Sequence, residues 1–300
     1  LVLTPEMLGD CHEQSVAPVR IRWQPDVHHV CEVEKELRRM LGDAESWDEL
    51  RTLSKDLRTC AEAVERAPKV PLALASVVSG VVAASKRSAD VLERVADGVG
   101  TGDLDLIRDE VSSFPRGVPV EVATAPRTLR AGNHRAGLYA TNAVAGCHDT
   151  VRAIRQVEDA FSSRVVALLA PAGCGKTHLA AQLTAHTAAR PHGVLLHGRD
   201  FHAAHTLDDL AHRVSIAARP VPSMESLLAA VDAAGQRARH RIPVVIDGLN
   251  EAEDPRVWKS LLASLEATLA KYPYVLMVCT LSPEFVNDAL PEGTRRLQIS

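Results

Sequence analysis

Apolar residues recur with two different periods along this chain, and the change of period separates its two halves. In the second half, short apolar runs alternate with longer stretches whose apolar residues return every three or four positions. The runs predict buried strands, and the stretches predict amphipathic helices. Strands that alternate with helices predict an α/β fold, with a five-stranded and mostly parallel sheet covered on both faces. The five predicted strands cover residues 165–170, 193–197, 242–247, 275–281 and 297–299.

The first half shows the helical period alone. Apolar stripes predict helices over 25–42, over 72–95 and over 104–111, and a further helix that starts at a capping box of Ser46 and Glu49. Residues 1–23 show no clear pattern. We therefore predict an α-helical bundle over 1–113, which serves as a spacer or docking region.

The two halves are joined by a stretch that is rich in proline and glycine. Residues 114–133 predict a linker, with a small extended element at 118–122. A helical stretch over 134–161, interrupted at Gly137 and Gly146, then leads into the first strand. This pattern predicts a second domain over 134–300 that begins with a helix and is truncated at its C-terminus. Because the chain begins with Leu1, we expect it to be a piece of a longer protein.

Composition narrows the functional classes. The 300 residues are 46% hydrophobic and 24% charged with a net charge of −4, so there is no basic footprint for nucleic acid. The six cysteines form no CxxC pair, which favours a reducing compartment. There is no signal peptide, and the longest apolar stretch, 70–84, is too short to span a bilayer. We predict a cytoplasmic protein without membrane or direct nucleic-acid contacts.

The residues between the first predicted strand and the next helix have the composition of a phosphate-binding loop. Glycines allow backbone N–H groups to turn towards an anion, and a helix N-terminus adds further unpaired N–H groups. The order strand, glycine loop, Lys-Thr and helix is typical of a Walker A motif, although Ala170 replaces its first glycine. We predict that ATP binds here, with the Lys176 amine on the outer phosphates and the Thr177 hydroxyl on Mg²⁺. The predicted binding residues are Ala170, Pro171, Ala172, Gly173, Cys174, Gly175, Lys176, Thr177 and His178.

A second candidate element is the acidic end of the third predicted strand. Asp247 ends this strand and Glu251 follows four residues later. An Asp at a strand end also suits a helix cap or a turn, but its distance from the phosphate loop favours a Walker B motif. Asp247 would then bind Mg²⁺ with Thr177, and Glu251 would orient or deprotonate the attacking water. Lys176, Asp247 and Glu251 are therefore the predicted catalytic residues, and the strand over 275–281 can lie between the two motif strands.

Two weaker signals accompany these motifs. His197, His202, His205 and His212 are close in sequence, yet no cysteine or carboxylate completes a known zinc pattern around them. The helical stretch that precedes the first strand is a candidate for contact with the adenine base. No motif identifies which of its residues makes that contact.

The strings APAGCGKT and VVIDGLNE resemble the STAND class of P-loop NTPases, including its NACHT branch. The resemblance covers about residues 164–300. It implies ATP-driven switching, in which ATP supports homo-oligomerisation and an attached effector domain becomes active. It implies a protein ligand or an effector domain outside this sequence, and many bacterial relatives act in antiviral defence. Asn250 stands where the family has the first acid of a pair, and in this it resembles a subset of bacterial members. The chain departs from the family at Ser282, where many relatives carry an arginine that senses the γ-phosphate, so we expect slow hydrolysis.

Three other interpretations remain open. The string GKTHLA resembles helicase-loader AAA+ ATPases, although those proteins place a second acid directly after the first, where this chain has Gly248. A GTPase is a weaker alternative, because no NKxD run is present for guanine. A scaffold that binds the nucleotide without turnover, and docks through its helical half, is the third.

Overall fold

The computed structural model describes residues 3–19, 31–68, 70–132, 134–188, 190–202, 205–216 and 219–299. Its helices, in chain order, are α1 (Pro5–Val16), α2 (Glu32–Leu41), α3 (Asp48–Glu65), α4 (Ala75–Thr101), α5 (Leu104–Ser113), α6 (Val120–Gly132), α7 (His134–Ser162), α8 (Lys176–Thr184), α9 (Leu207–Ala211), α10 (Met224–Ala238), α11 (Val257–Leu269) and α12 (Val286–Ala289). Its strands are β1 (Val165–Leu169), β2 (Val194–His197), β3 (Ser215–Ile216), β4 (Arg219–Pro220), β5 (Ile242–Asp247), β6 (Val275–Leu281) and β7 (Arg295–Gln298).

The chain forms two compact units. The sheet unit consists of Leu1–Asp43 with Ser163–Ser300, and the helical unit consists of Ala44–Ser162. The predicted boundaries, 1–113, 114–133 and 134–300, differ from this division at both ends. Residues 3–16 belong with the sheet because Leu8 and Cys11 of α1 are buried in its core. Helix α7 belongs with the helices because it packs against α3, α4 and α6.

The sheet unit is an α/β structure built on five parallel strands in the order β2-β5-β6-β1-β7. All five predicted strands are present, and β6 lies between β1 and β5, which confirms the expected arrangement. The central strands read as continuous apolar runs because helices cover both faces. The short antiparallel pair β3–β4 was not predicted, since each of its strands has two residues and carries no periodicity.

Two helices of the sheet unit come from the first half of the chain. Helix α1 lies where the sequence gives no clear pattern, and it begins at Pro5 with the Thr4 hydroxyl accepting from the Met7 N–H at 3.3 Å. Helix α2 ends at Gly42, which has a φ of +88°. That end was predicted. The predicted start of this helix at residue 25 lies outside the described residues.

The helical unit contains α3 to α7 around its own apolar core. Helix α3 starts at Asp48 after a 3₁₀ turn over Ala44–Trp47, with Trp47 in the capping position and no capping bond from its side chain. The predicted cap residue, Ser46, therefore lies one residue before the observed cap position. The predicted helices after it are present, although α4 extends to Thr101 rather than residue 95.

The predicted linker over 114–133 is wrong over most of its length, because residues 120–132 form α6. Its buried residues Val122, Ala125 and Leu129 are spaced as one face of a helix, and they outweigh the proline at position 126. Helix α7 is continuous through Gly137 and Gly146, so the predicted interruptions are also wrong. A Cβ added at Gly146 would lie 2.8 Å from the Leu57 Cδ2, so this glycine allows α3 and α7 to approach closely.

No helix among the described residues is both long enough and apolar enough to cross a bilayer. Among the described residues, one hydrophobic cluster lies on the sheet and another lies among the helices. The residues predicted to bind the phosphates and Mg²⁺ lie in the sheet unit, whereas the stretch predicted to contact the adenine base is α7 of the helical unit.

Candidate functional site

The candidate site lies at the carboxyl ends of β1, β5 and β6, three neighbouring strands of the parallel sheet. Strand β1 ends at Leu169 and is followed by Ala170, which is fully buried and donates its N–H to the Leu281 carbonyl at 3.3 Å. The chain then turns through five exposed residues, 171–175, before α8 begins. Ligand sites of open parallel sheets lie at such carboxyl ends.

Two glycines set the shape of the loop. Gly173 has a φ of +83° and Gly175 a φ of +79°, values that side-chain-bearing residues adopt at a cost. A Cβ added at either position would meet no atom within 4 Å, so the space over the loop is open. These glycines are therefore required by the backbone conformation and not by packing. Such left-handed turns point successive N–H groups into a concave surface that binds anions.

Helix α8 adds its N-terminus to this surface. It starts at Lys176, with Gly175 as its capping residue and no capping bond from a side chain. The first N–H groups of a helix have no acceptor within the helix, and the helix dipole places partial positive charge there. Thr177 and His178 follow in the first turn. The predicted residues 170–178 are thus one contiguous strand–loop–helix element.

The Lys176 side chain folds back over the loop. Its Nζ donates to the Ala170 carbonyl at 2.6 Å and to the Pro171 carbonyl at 2.9 Å, and it lies 3.5 Å from the Ser282 Oγ. The ammonium is therefore held at the mouth of the loop by neutral oxygens. Phosphate oxygens carry formal charge and make stronger hydrogen bonds to an ammonium than carbonyls do.

Asp247 and Thr177 meet across the sheet, as the sequence predicts. The Thr177 hydroxyl donates to the Asp247 Oδ2 at 2.7 Å, although the two residues are 70 positions apart. Asp247 is 6% exposed, so its carboxylate is withdrawn from bulk solvent. A hydroxyl beside a carboxylate is an all-oxygen donor set, which suits Mg²⁺ with most of its ligands supplied by water and phosphate. The residues present fit that ion.

Thr280 is a polar contact of Asp247 that the sequence analysis missed. Its hydroxyl donates to the Asp247 Oδ1 at 2.5 Å and accepts the Gly248 N–H at 2.8 Å. The only available signal was a threonine near the end of an otherwise apolar strand. Periodicity does not distinguish such a threonine from a β-branched core residue.

The loop after β5 carries the remaining predicted catalytic residue. Gly248 has a φ of +76° and starts a 3₁₀ turn over Leu249–Glu251. Glu251 is exposed, and a Cβ added at Gly248 would lie 2.8 Å from its Cδ, so the Glu251 side chain packs over this glycine. The backbone thus places a second carboxyl group beside the residue that follows Asp247.

Asn250 and Ser282 link this loop to the end of β6. The Asn250 Oδ1 accepts the Ser282 N–H at 3.1 Å. Ser282 is 4% exposed, and its hydroxyl faces Lys176. The residue at the expected sensor position therefore contacts the phosphate loop, but it brings no charge. Asn250 contributes a hydrogen bond to the strand end.

Three of the four histidines noted in the sequence, His197, His205 and His212, bind backbone groups, whereas the His202 Nδ1 lies 3.8 Å from a Glu253 carboxylate oxygen. The His197 Nε2 lies 2.8 Å from the Ser15 carbonyl, and the His212 Nε2 lies 3.1 Å from the Pro222 carbonyl. Across the residues that the structure describes, no group of three or more His, Cys, Asp and Glu side chains could hold a metal ion. The two residues predicted to bind Mg²⁺, Thr177 and Asp247, are in contact with each other through the 2.7 Å hydrogen bond.

Searches against protein-family models, curated proteins and solved structures found no match to this chain.

Proposed function

We propose that this chain is a P-loop ATPase that binds ATP with Mg²⁺ and hydrolyses it slowly. The observation that carries the proposal is the 2.7 Å hydrogen bond between Thr177 and Asp247. It unites the two predicted motifs in one place, beside a glycine loop and a helix N-terminus. A chance glycine turn would not require a carboxylate from β5 at this position.

Each residue has a defined task in the proposed reaction. The loop N–H groups and the Lys176 amine bind the phosphate oxygens, while Thr177 and Asp247 hold the metal. When bound, Mg²⁺ neutralises charge on the phosphates. Glu251 accepts a hydrogen bond from the attacking water and directs it towards the outer phosphorus.

Slow turnover follows from the neutral residue at position 282. A cation there would make a charge-assisted contact that strengthens as charge moves in the transition state. The Ser282 hydroxyl is short and already lies 3.5 Å from the Lys176 Nζ. The missing cation would come from another subunit or from outside this sequence. Switching, homo-oligomerisation on activation and a role in defence are proposed from the STAND resemblance alone.

The geometry at position 248 supports the STAND interpretation over the helicase-loader one. The helicase-loader pattern requires an acidic residue directly after Asp247. With a φ of +76°, this position favours glycine, and a larger residue would also meet Glu251. The scaffold alternative, binding without turnover, differs from the proposal only in the rate of hydrolysis. A measurement of phosphate release separates the two.

The proposal is tested with Lys176→Ala. ATP with Mg²⁺ at about 100 times its dissociation constant should stabilise the parent protein by about 2.7 kcal/mol, seen as a higher Tm. Lys176→Ala should lose this increase, because the positive charge over the loop is removed. Lys259→Ala is the matched control, since Lys259 is exposed and also donates to a carbonyl, that of Asn287 at 3.2 Å. An ATP-induced increase of equal size in all three proteins would contradict the proposal.

A further inference from the structure

Asp247 accepts hydrogen bonds at both of its carboxylate oxygens, from opposite sides. Thr280 donates to Oδ1 at 2.5 Å, and Thr177 donates to Oδ2 at 2.7 Å. Thr280 lies on β6, which pairs with both β5 and β1. It is fully buried, whereas Thr177 is partly exposed at the mouth of the site. One side of the carboxylate therefore faces the phosphate loop, and the other faces the interior of the sheet.

The direction of the hydrogen bonds at Thr280 is fixed by the backbone. The Gly248 N–H can only donate, and it donates to the Thr280 Oγ at 2.8 Å. The single hydroxyl proton of Thr280 is then free to point to the Asp247 Oδ1. A backbone group of the loop after β5 thus orients the hydroxyl, and the hydroxyl in turn holds the carboxylate.

Burial of the Thr280 hydroxyl costs free energy unless the hydroxyl forms hydrogen bonds. Burying a hydroxyl without a partner is unfavourable, and the other residues of β6 are apolar. Valine has nearly the same shape as threonine and would suit a buried strand at least as well. The pairing of β6 and the packing around it therefore do not require a hydroxyl group at position 280. Its two hydrogen bonds do, because one ends on Asp247, a proposed metal ligand, and the other comes from the N–H of Gly248, the next residue.

We propose that Thr280 is a positioning residue for the metal-binding carboxylate. By occupying the Asp247 Oδ1, it fixes the plane of the carboxylate so that Oδ2 is presented beside Thr177. This inference rests on the proposed function, because it assigns Thr280 a task in binding Mg²⁺ with ATP. Groups that orient a metal ligand in this way contribute about 10-fold to 100-fold to metal affinity or activity.

The test is a Mg²⁺ titration of ATP binding, followed with a fluorescent ATP analogue under conditions without turnover. In Thr280→Val, the Mg²⁺ concentration for half-maximal binding should rise about 10-fold or more, since the carboxylate loses its fixed orientation. Binding measured without Mg²⁺ should change much less. Thr280→Ser keeps the hydroxyl and should restore the parent Mg²⁺ dependence.

Thr184→Val is the matched control for a purely structural effect. Thr184 is also fully buried in the sheet unit, but its hydroxyl bonds to the Ala180 and Ala181 carbonyls of its own helix, at 2.9 and 3.1 Å. Its loss should lower Tm without shifting the Mg²⁺ dependence. Should Thr280→Val be too unstable to study, Thr280→Ser compared with Thr280→Ala gives the same contrast with and without a hydroxyl.

The outcomes separate this inference from the proposed function. If the parent protein binds ATP with Mg²⁺ and Lys176→Ala does not, the nucleotide-binding part of the proposed function stands. An unchanged Mg²⁺ dependence in Thr280→Val would then overturn the role of Thr280 alone. A loss of binding that is equal with and without Mg²⁺ would also overturn it, because it indicates a general defect of the fold. Absence of ATP binding in the parent protein would overturn both.

Discussion

Glu251 and Asp247 are two carboxylates in very different surroundings, although only three residues separate them. Asp247 is buried and accepts hydrogen bonds from two threonine hydroxyls, so its orientation is fixed. Glu251 is exposed and packs over Gly248, on a 3₁₀ turn outside the sheet. A fixed carboxylate suits a metal ligand, whereas an accessible one suits contact with water. The two acids therefore have separable roles in the proposed reaction.

Glu251→Gln should keep ATP affinity and lose turnover by about 100-fold or more, since an amide cannot accept the proton of the attacking water. The measurement is steady-state phosphate release together with the dissociation constant of ATP. Glu253→Gln serves as the control, because Glu253 is also exposed and lies two residues further along. Turnover at the parent rate in Glu251→Gln would show that another group positions the water.

At the scale of elements, α1 is held on the sheet unit by a buried histidine. His12 is 3% exposed, and its Nε2 lies 3.4 Å from the Ala181 carbonyl of α8. Its ring lies 4.7 Å from the ring of His192, centroid to centroid. Burial is the main reason that the pKa of His12 is lowered to about 4. The contact between α1 and α8, the helix of the phosphate loop, therefore depends on a neutral imidazole.

The second histidine of the His12–His192 pair also has a lowered pKa. The pKa of His192 is also lowered, first by burial and then by the nearby His186, while Glu13 opposes the shift and Arg190 adds to it. A second protonated imidazole would repel the first. Both histidines are therefore expected to stay neutral in the folded protein at neutral pH.

The folded protein should lose stability as the pH falls from about 6.5 towards 4. The pKa of His12 is lower in the folded state than its ordinary value, so the unfolded state binds more protons over this range. His12 contributes at most about 3.5 kcal/mol to this loss of unfolding free energy, at about 1.4 kcal/mol for each unit by which its pKa is lowered, and residual contact with solvent makes the contribution smaller. His12→Gln keeps a donor but does not titrate, so its Tm should fall less between pH 6.5 and 4.5. Parallel pH profiles for the two proteins would contradict this account.

At the scale of the molecule, the helical unit is inserted into the sheet unit between Asp43 and Ser163. Arg241, which directly precedes β5, binds the chain close to both points. Its guanidinium donates to the Met40 carbonyl at 2.9 Å and to the Ser163 carbonyl at 2.7 Å. Complete burial lowers the pKa of Arg241 to about 9. The positions where the chain leaves and re-enters the sheet unit are thus fixed to one strand.

The two units offer separate reporters of unfolding, since Trp47 is buried in the helical unit and Trp258 in the sheet unit. Two variants are needed, each with Trp23 and one of the other two tryptophans replaced by Phe. The fluorescence of the remaining tryptophan then reports the unfolding of one unit in urea. ATP with Mg²⁺ should raise the midpoint reported by Trp258 by roughly 1 M, given about 2.7 kcal/mol and a typical slope. The midpoint reported by Trp47 should rise less. Equal increases would show that the two units unfold in one transition.

The sequence by itself determined the parallel sheet and most of the candidate site. Strands buried on both faces leave no polar positions, so β1, β5 and β6 are visible as apolar runs. The loop over 170–177 is equally visible, because its two glycines, lysine and threonine lie within five consecutive residues. A contact between neighbours in sequence needs no tertiary information.

Only the tertiary structure decided which residues join these elements. Thr280 resembles a core residue until β6 is placed beside Asp247, and α6 resembles a linker until its apolar face packs on α7. Helix α1 could not be assigned to the sheet unit, because its buried residues are about 150 or more positions from the core they join. Each of these facts depends on contacts between residues distant in sequence. Local period and composition do not encode such contacts, because they depend on how whole elements pack.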